Sequence, residues 1–144
     1  MNADVWSKKK YFCLLNSNLM ESLSPNIFVD NMNQTIAFYQ SIGFQLIASV
    51  PETGDALIWC MMVNGSVTMM FQTFESLAEE LPTISRQNGG SLLLYIKLKK
   101  IREFFESIKD KVIVLKPLEV TFYGATEFSI VDNNNYVLTF AEDE

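Results

Sequence analysis

A hairpin that occurs twice constrains this chain more than any other feature. The later copy is Ala125 to Phe140, ATEFSIVDNNNYVLTF. Thr126 to Ile130 alternates, and Tyr136 to Phe140 is rich in β-formers. Asp132 to Asn135 between them is a turn in composition, because Asx side chains bond their own backbone and tolerate positive φ. The earlier copy, Met61 to Phe71, lies over Ile130 to Phe140 without a gap: Asn64 falls on Asn133, Gly65 on Asn134 and Phe71 on Phe140. The offset, Phe140 minus Phe71, is about 69 residues, and it also carries Met32 onto Ile101, Ile36 onto Phe105 and Trp59 onto Phe128. One offset that serves a helix, a strand and a hairpin predicts a duplicated module. Two copies are too few for a solenoid, which needs about three or more, so the duplicate is expected to close on itself.

Each copy reads β-α-β-β-β. In the first, Pro25 to Val29 is a short strand, and Asn31 caps a helix from Met32 to about Ser41 that Gly43 ends. Strands follow at Gln45 to Val50, Ala56 to Val63 and Ser66 to Gln72, with Asn64-Gly65 as a hairpin turn and Trp59 assigned to the core. Glu75 to Leu81 suggests one or two helical turns, stopped by Pro82. The second copy has a strand at Ser91 to Leu98 and a helix at Lys100 to Lys109, whose Ile101, Phe104, Phe105 and Ile108 make an i, i+3, i+4, i+7 core stripe. Its remaining strands are expected at Val112 to Leu115, Val120 to Tyr123, Thr126 to Val131 and Tyr136 to Ala141. The expected organisation is a flexible N-terminal arm over 1–21, which neither copy matches, and a single domain over 22–142. That domain divides into modules 22–72 and 91–142 and a linker 73–90.

A chain of 144 residues fits one domain, and 49% hydrophobic residues can fill a substantial core. A net charge of -6 argues against a nucleic-acid or anionic-membrane partner. No apolar run approaches the roughly 18 residues of a membrane span. Lys8-Lys9-Lys10 ahead of Tyr11 to Leu15 only weakly resembles a signal start, because the apolar run is short. Cys13 and Cys60 could pair on count alone, but they read better as free thiols in a reducing, cytoplasmic setting. The chain has no histidine, which removes the commonest metal ligand and the commonest general base at neutral pH.

Local motifs resemble the vicinal oxygen chelate superfamily, which includes glyoxalase I, bleomycin-resistance and fosfomycin-resistance proteins and extradiol dioxygenases. Pro25 to Met32, then Ile36-Ala37-Phe38-Tyr39 and Ile42-Gly43-Phe44, is similar to that family's opening strand and its "FY…LGF" helix. Tyr123-Gly124 with Glu127-Phe128 and Asp132 to Asn135 resembles its "G…F…DPDG" hairpin, with Asn133-Asn134-Asn135 in place of Pro-Asp-Gly. The resemblance covers about residues 22 to 142. It implies an α+β fold in which the two tandem β-α-β-β-β modules form a curled, cup-like mixed sheet, helices outside and a small-molecule site within. It also implies a homodimer. The family's metal-ligand places fall on Ser24 (or Asn26 after a two-residue slip), Leu93, Met70 and Thr139, none of which is a good ligand for a hard or borderline divalent ion. No metal and no other cofactor is therefore expected.

Strand alternation assigns the cup lining. With Leu138 and Phe140 under the helices, Val137 and Thr139 face the cup, as do Thr68, Met70 and Gln72 from the first half. Asn26 and Phe28, Tyr95 and Lys97, and Glu127 and Ser129 join them, and Ile58 and Cys60 are expected to complete one wall. Phe28, Ile58 and Met70 read first as packing, and Cys60 as a buried inert thiol. Glu127 is either bridged to Lys97 at the rim or buried unpaired, in which case it is a candidate base. Two functions follow as expectations: a metal-free small-molecule binder of the bleomycin-resistance kind, whose branch binds a cationic drug, or a lyase or dioxygenase-type enzyme with a non-standard site. A scaffold with a filled cup is the third, blander possibility.

Overall fold

The computed structural model describes residues 19–144, so the arm before Leu19, including Cys13, lies outside the described residues. The first half runs β1 (Asn26–Val29), α1 (Met32–Ser41), β2 (Gln45–Val50), β3 (Trp59–Asn64) and β4 (Val67–Thr73). A one-turn helix α2 (Phe74–Leu77) starts the connection, and the second half runs β5 (Leu93–Lys97), α3 (Ile101–Ile108), β6 (Ile113–Val120), β7 (Ala125–Val131) and β8 (Val137–Asp143). Each half makes one four-stranded mixed sheet, in the orders β1-β4-β3-β2 and β5-β8-β7-β6. The first strand of each half pairs parallel with the last, and the other pairings are antiparallel. The architecture is α+β with no closed barrel.

Local chemistry explains most boundaries. The Asn31 side chain accepts the Gln34 amide at 3.0 Å and so caps α1. Gly43, at φ +100, turns the chain out of that helix. The corresponding cap of α3 is built differently. Lys100 stands at φ 60 without a capping side chain, and the Glu142 carboxylate accepts the Lys100 and Ile101 amides at 2.9 and 3.0 Å.

Two expected strands prove to be one. Val112 to Leu115 and Val120 to Tyr123 are replaced by the single strand β6, and Thr121 to Gly124 is the turn after it. Pro117 sits where the β6–β7 register skips between Lys116 and Glu119, on an edge strand where a missing N–H costs no ladder bond. In the first half β3 begins at Trp59, three residues later than expected.

The gapless repeat also needs one correction. Helix and outer strands keep the offset, since Asn26 pairs with Met70 as Tyr95 pairs with Thr139. In the hairpins, however, Phe71 lies opposite Cys60, while Phe140 lies opposite Phe128. The second hairpin holds one residue more, so the counterpart of Phe128 is Cys60 rather than Trp59. A slip of one residue moves every side chain of a strand to the other face. Trp59, expected in the core, therefore stands on the open face with Met61, and Cys60 is in the core, fully buried.

The core lies between the helices and one face of each sheet. Val29, Met62, Phe71 and Tyr39 fill it in the first half, and Ile101, Phe128, Ile130 and Leu138 in the second. The halves meet reciprocally, each hairpin near the other half's helix. The β7–β8 turn docks on α1: the buried Tyr39 hydroxyl donates to Asp132 Oδ2 at 2.7 Å, and Asn134 Nδ2 donates to the Thr35 hydroxyl at 3.1 Å. Asp132 Oδ1 accepts the Asn134 and Tyr136 amides, so this turn is also the latch between halves.

Candidate functional site

The faces away from the helices are the candidate binding surfaces. On the second sheet, pairing sets Tyr95 beside Thr139 and Thr139 beside Ser129, while Lys97, Ala141 and Glu127 form the next row. Short side chains make its floor, and the Ser129 and Thr139 hydroxyls bond each other at 2.8 Å. Glu127 is 7% exposed and lies beside the Tyr95 phenol. The Tyr95 hydroxyl donates to its Oε1 at 2.5 Å, which pushes the Tyr95 pKa up to about 12. The nearby Glu127 carboxylate raises the Tyr123 pKa as well.

Glu127 has no cationic partner among the described residues. Lys97 is bonded to Asp143 at 2.7 Å, so the expected Lys97–Glu127 bridge does not form. Lys116 is bonded to Glu119 at 2.9 Å, which raises its pKa. A carboxylate that is largely withdrawn from water and bonded by a single phenol has unspent hydrogen-bonding capacity for a cation.

On the first sheet, Asn26 Nδ2 donates to Gln72 Oε1 at 3.0 Å, and Phe28 packs on Phe74 with ring centroids 6.2 Å apart. Met70 lies between Asn26 and Met61 in the register. A hollow of about 230 Å³ is lined by Thr68 on β4 and by Tyr95 and Lys97 on β5.

Ile58 and Cys60 do not belong to this lining. Cys60 points into the core, where its Sγ lies 3.4 Å from Met32 Sδ and burial pushes its thiol up to about 11. Ile58 precedes β3 and is exposed. The misplacement follows from the one-residue slip, and Trp59 and Met61 take their places. Tyr123 was missed as well, because it was read as a strand residue rather than as the turn that reaches back to Glu127.

The places where the resemblance puts metal ligands do not fit a divalent ion. They offer a thioether at Met70, hydroxyls at Ser24 and Thr139, and an alkyl group at Leu93. Thr139 already spends its hydroxyl on Ser129. Among the described residues no three His, Cys, Asp or Glu side chains gather to hold an ion.

Comparison with solved structures identifies the fold. A bleomycin-binding protein complexed with bleomycin matches with a TM-score of 0.60 at 21% identity, over 87% of this chain and 100% of its own. A glyoxalase/bleomycin resistance protein/dioxygenase family enzyme from Burkholderia phytofirmans PsJN matches with a TM-score of 0.68 at 20% identity, over 84% of this chain and 97% of its own. TioX from Micromonospora sp. ML1 matches with a TM-score of 0.69 at 16% identity, over 87% of this chain and 100% of its own. The chain thus shares the fold of these bleomycin-binding and glyoxalase/bleomycin resistance/dioxygenase family proteins. No protein-family model and no curated protein matches its sequence.

Proposed function

We propose that this protein binds a small molecule on the open faces of its sheets without a metal, and that a cationic group of the ligand pairs with Glu127. The observation that carries this is the Glu127 carboxylate itself, nearly buried, bonded by Tyr95 and left without a basic partner among the described residues. Tyr95 beside it, and Trp59, Met61 and Phe28 on the open face of the first sheet, supply the apolar and aromatic contact that ligand sites use, and an aromatic ring favours a cation. The bleomycin-bound relative supports a ligand of this kind on this fold. A thermal-shift series with bleomycin and with small organic amines tests it, since a ligand selective for the folded state raises apparent stability by mass action. Stabilisation by a cation that disappears in Glu127→Gln is expected. Equal stabilisation in both proteins would overturn the role of Glu127.

A homodimer accompanies this proposal. β2 and β6 are open sheet edges, and Ile113, Leu115 and Phe122 are exposed beside one of them. Light scattering at micromolar concentration tests it, and a monomer would refute it. Cys60, buried and without a disulfide partner among the described residues, supports a reducing, cytoplasmic setting, and no helix among the described residues is long and apolar enough to cross a membrane.

The nearly buried Glu127 carboxylate, without a basic partner among the described residues, favours a second reading, an enzyme in which it accepts a proton from the bound molecule. Turnover by metal-free protein that Glu127→Gln abolishes while binding persists would establish it. About one equivalent of zinc, nickel, iron or manganese in pure protein, lost with activity on chelation, would overturn both metal-free readings.

A further inference from the structure

The two seams between the halves are built from equivalent parts and finished differently. At the first, the β7–β8 turn fills the space over α1, with Asp132 on Tyr39 and Asn133 and Asn134 on Thr35. At the second, the β3–β4 turn lies near α3, where the counterparts of Thr35 and Tyr39 are Phe104 and Ile108 and the counterpart of Asp132 is Asn64. Neither Phe104 nor Ile108 can bond Asn64 as Tyr39 bonds Asp132. The space stays open as a cleft of about 480 Å³, a volume in the range of small-molecule sites.

Chemistry at this cleft is two-sided. Its wall is apolar, from Ile42, Phe44, Val67, Leu98 and Phe104. Its mouth carries Lys97, Lys99 and Lys100 against Glu103, with the Glu142 carboxylate close by on the Lys100 and Ile101 amides. Lys97 is held by Asp143, and Lys100 reaches Glu103 only at 3.9 Å. Lys99 has no ion-pair partner among the described residues. Lys100 replaces the Asn31 of the first copy. Because Glu142 takes over the capping, Lys100 is free to sit in the left-handed conformation at the rim.

We propose that this inter-module cleft is a second binding site, distinct from the sheet faces, and that it takes a free amphipathic carboxylic acid. The acid's chain lies on Phe44, Val67 and Phe104 and its carboxylate meets Lys99 and Lys100. The mouth is a set of exposed charges, so binding weakens as salt is added.

Amide chemical-shift titration of the full chain with decanoate, decylamine and 1-decanol tests the site. Decanoate is expected to give saturable shifts at Ile42, Val67, Lys99 and Phe104, and the other two to bind at least several-fold more weakly. Ser107→Trp places bulk in the cleft from an exposed position on α3 and should abolish the shifts. Lys99→Gln with Lys100→Asn, an asparagine being tolerated at positive φ, should weaken decanoate by about tenfold, two exposed ion pairs' worth. A native spectrum checks the fold of both variants. No saturable shift, equal response to all three compounds, or binding that survives Ser107→Trp would each overturn the proposal. Shifts confined to Thr68, Tyr95 and Ser129 and strongest with decylamine would do the same while supporting the sheet-face site, so the two proposals fail separately.

Discussion

Replacing Tyr39 with phenylalanine isolates the latch between the halves. The ring keeps its place against Phe44 and Phe71, at centroid distances of 5.5 and 4.6 Å, so packing is conserved. What is lost is one hydrogen bond, the only one to Asp132 Oδ2 among the described residues, while Oδ1 keeps two backbone amides. A hydrogen bond to a charged group that leaves its partner buried and unsatisfied is worth about 2 kcal/mol. In a chain of this size that lowers Tm by roughly 6 °C. The pH dependence sharpens the test. Burial raises the Asp132 pKa above its ordinary 3.8, and the Tyr39 hydrogen bond pulls it partly back. A carboxyl with a raised folded-state pKa contributes most below the unfolded value and loses that contribution as pH rises through the folded one. Without Tyr39 the folded value rises further, so the loss between pH 4 and pH 7 grows. Urea unfolding should show Tyr39→Phe destabilised by about 2 kcal/mol at pH 7 and by nearer 1 kcal/mol at pH 4. In an Asp132→Asn background the difference should no longer depend on pH. A variant as stable as the parent at pH 7, or a destabilisation equal at both pH values, would refute a charged latch.

Three further outcomes follow from single positions. Gly89→Ala should destabilise by more than about 1 kcal/mol in urea unfolding, because φ is +77 and a Cβ would lie 2.7 Å from the Asn135 carbonyl oxygen. In a Cys13→Ser background, Cys60 should resist a disulfide reagent at pH 8 until denaturant is added, its thiol being buried and pushed up to about 11; prompt labelling of native protein would return it to the open face. Glu142→Ala should lower Tm and speed amide exchange in the first turn of α3, and the difference from the parent should shrink as acid protonates Glu142, whose pKa its two amide donors hold down.

Fold was legible wherever periodicity and turn chemistry agreed. Asn31, Gly43 and the α3 stripe marked the helices, and the repeat marked the modules. Failure came where a single residue mattered. The longer second hairpin is invisible to a gapless overlay, because both turns are rich in Asn and both flanks are apolar. Yet that one residue decides whether Trp59 or Cys60 faces a ligand. Packing settles it: Phe71 and Phe140 must both point at the core, and the strand opposite each must follow. The single strand β6 was split in the sequence for a related reason, since whether a strand can run through Pro117 depends on its being an edge, which is a tertiary fact.

The open face of the second sheet was legible because Leu138 and Phe140 anchor its parity, and Tyr95, Glu127, Ser129 and Thr139 follow by alternation alone. Partners were not legible. Nothing local announces that Lys97 will choose Asp143 over Glu127, or that Tyr123 will fold back from a turn. Asp132 shows the limit most clearly. Its two backbone hydrogen bonds are those of any Asx turn and account fully for its residue type, whereas its bond to Tyr39 spans 93 positions and leaves no trace in either neighbourhood. Duplication supplies what single residues lack. Equivalent positions in the two halves face the same task, so each place where the second copy cannot repeat the first, Phe104 for Thr35 or Lys100 for Asn31, marks a change in what the seam must hold.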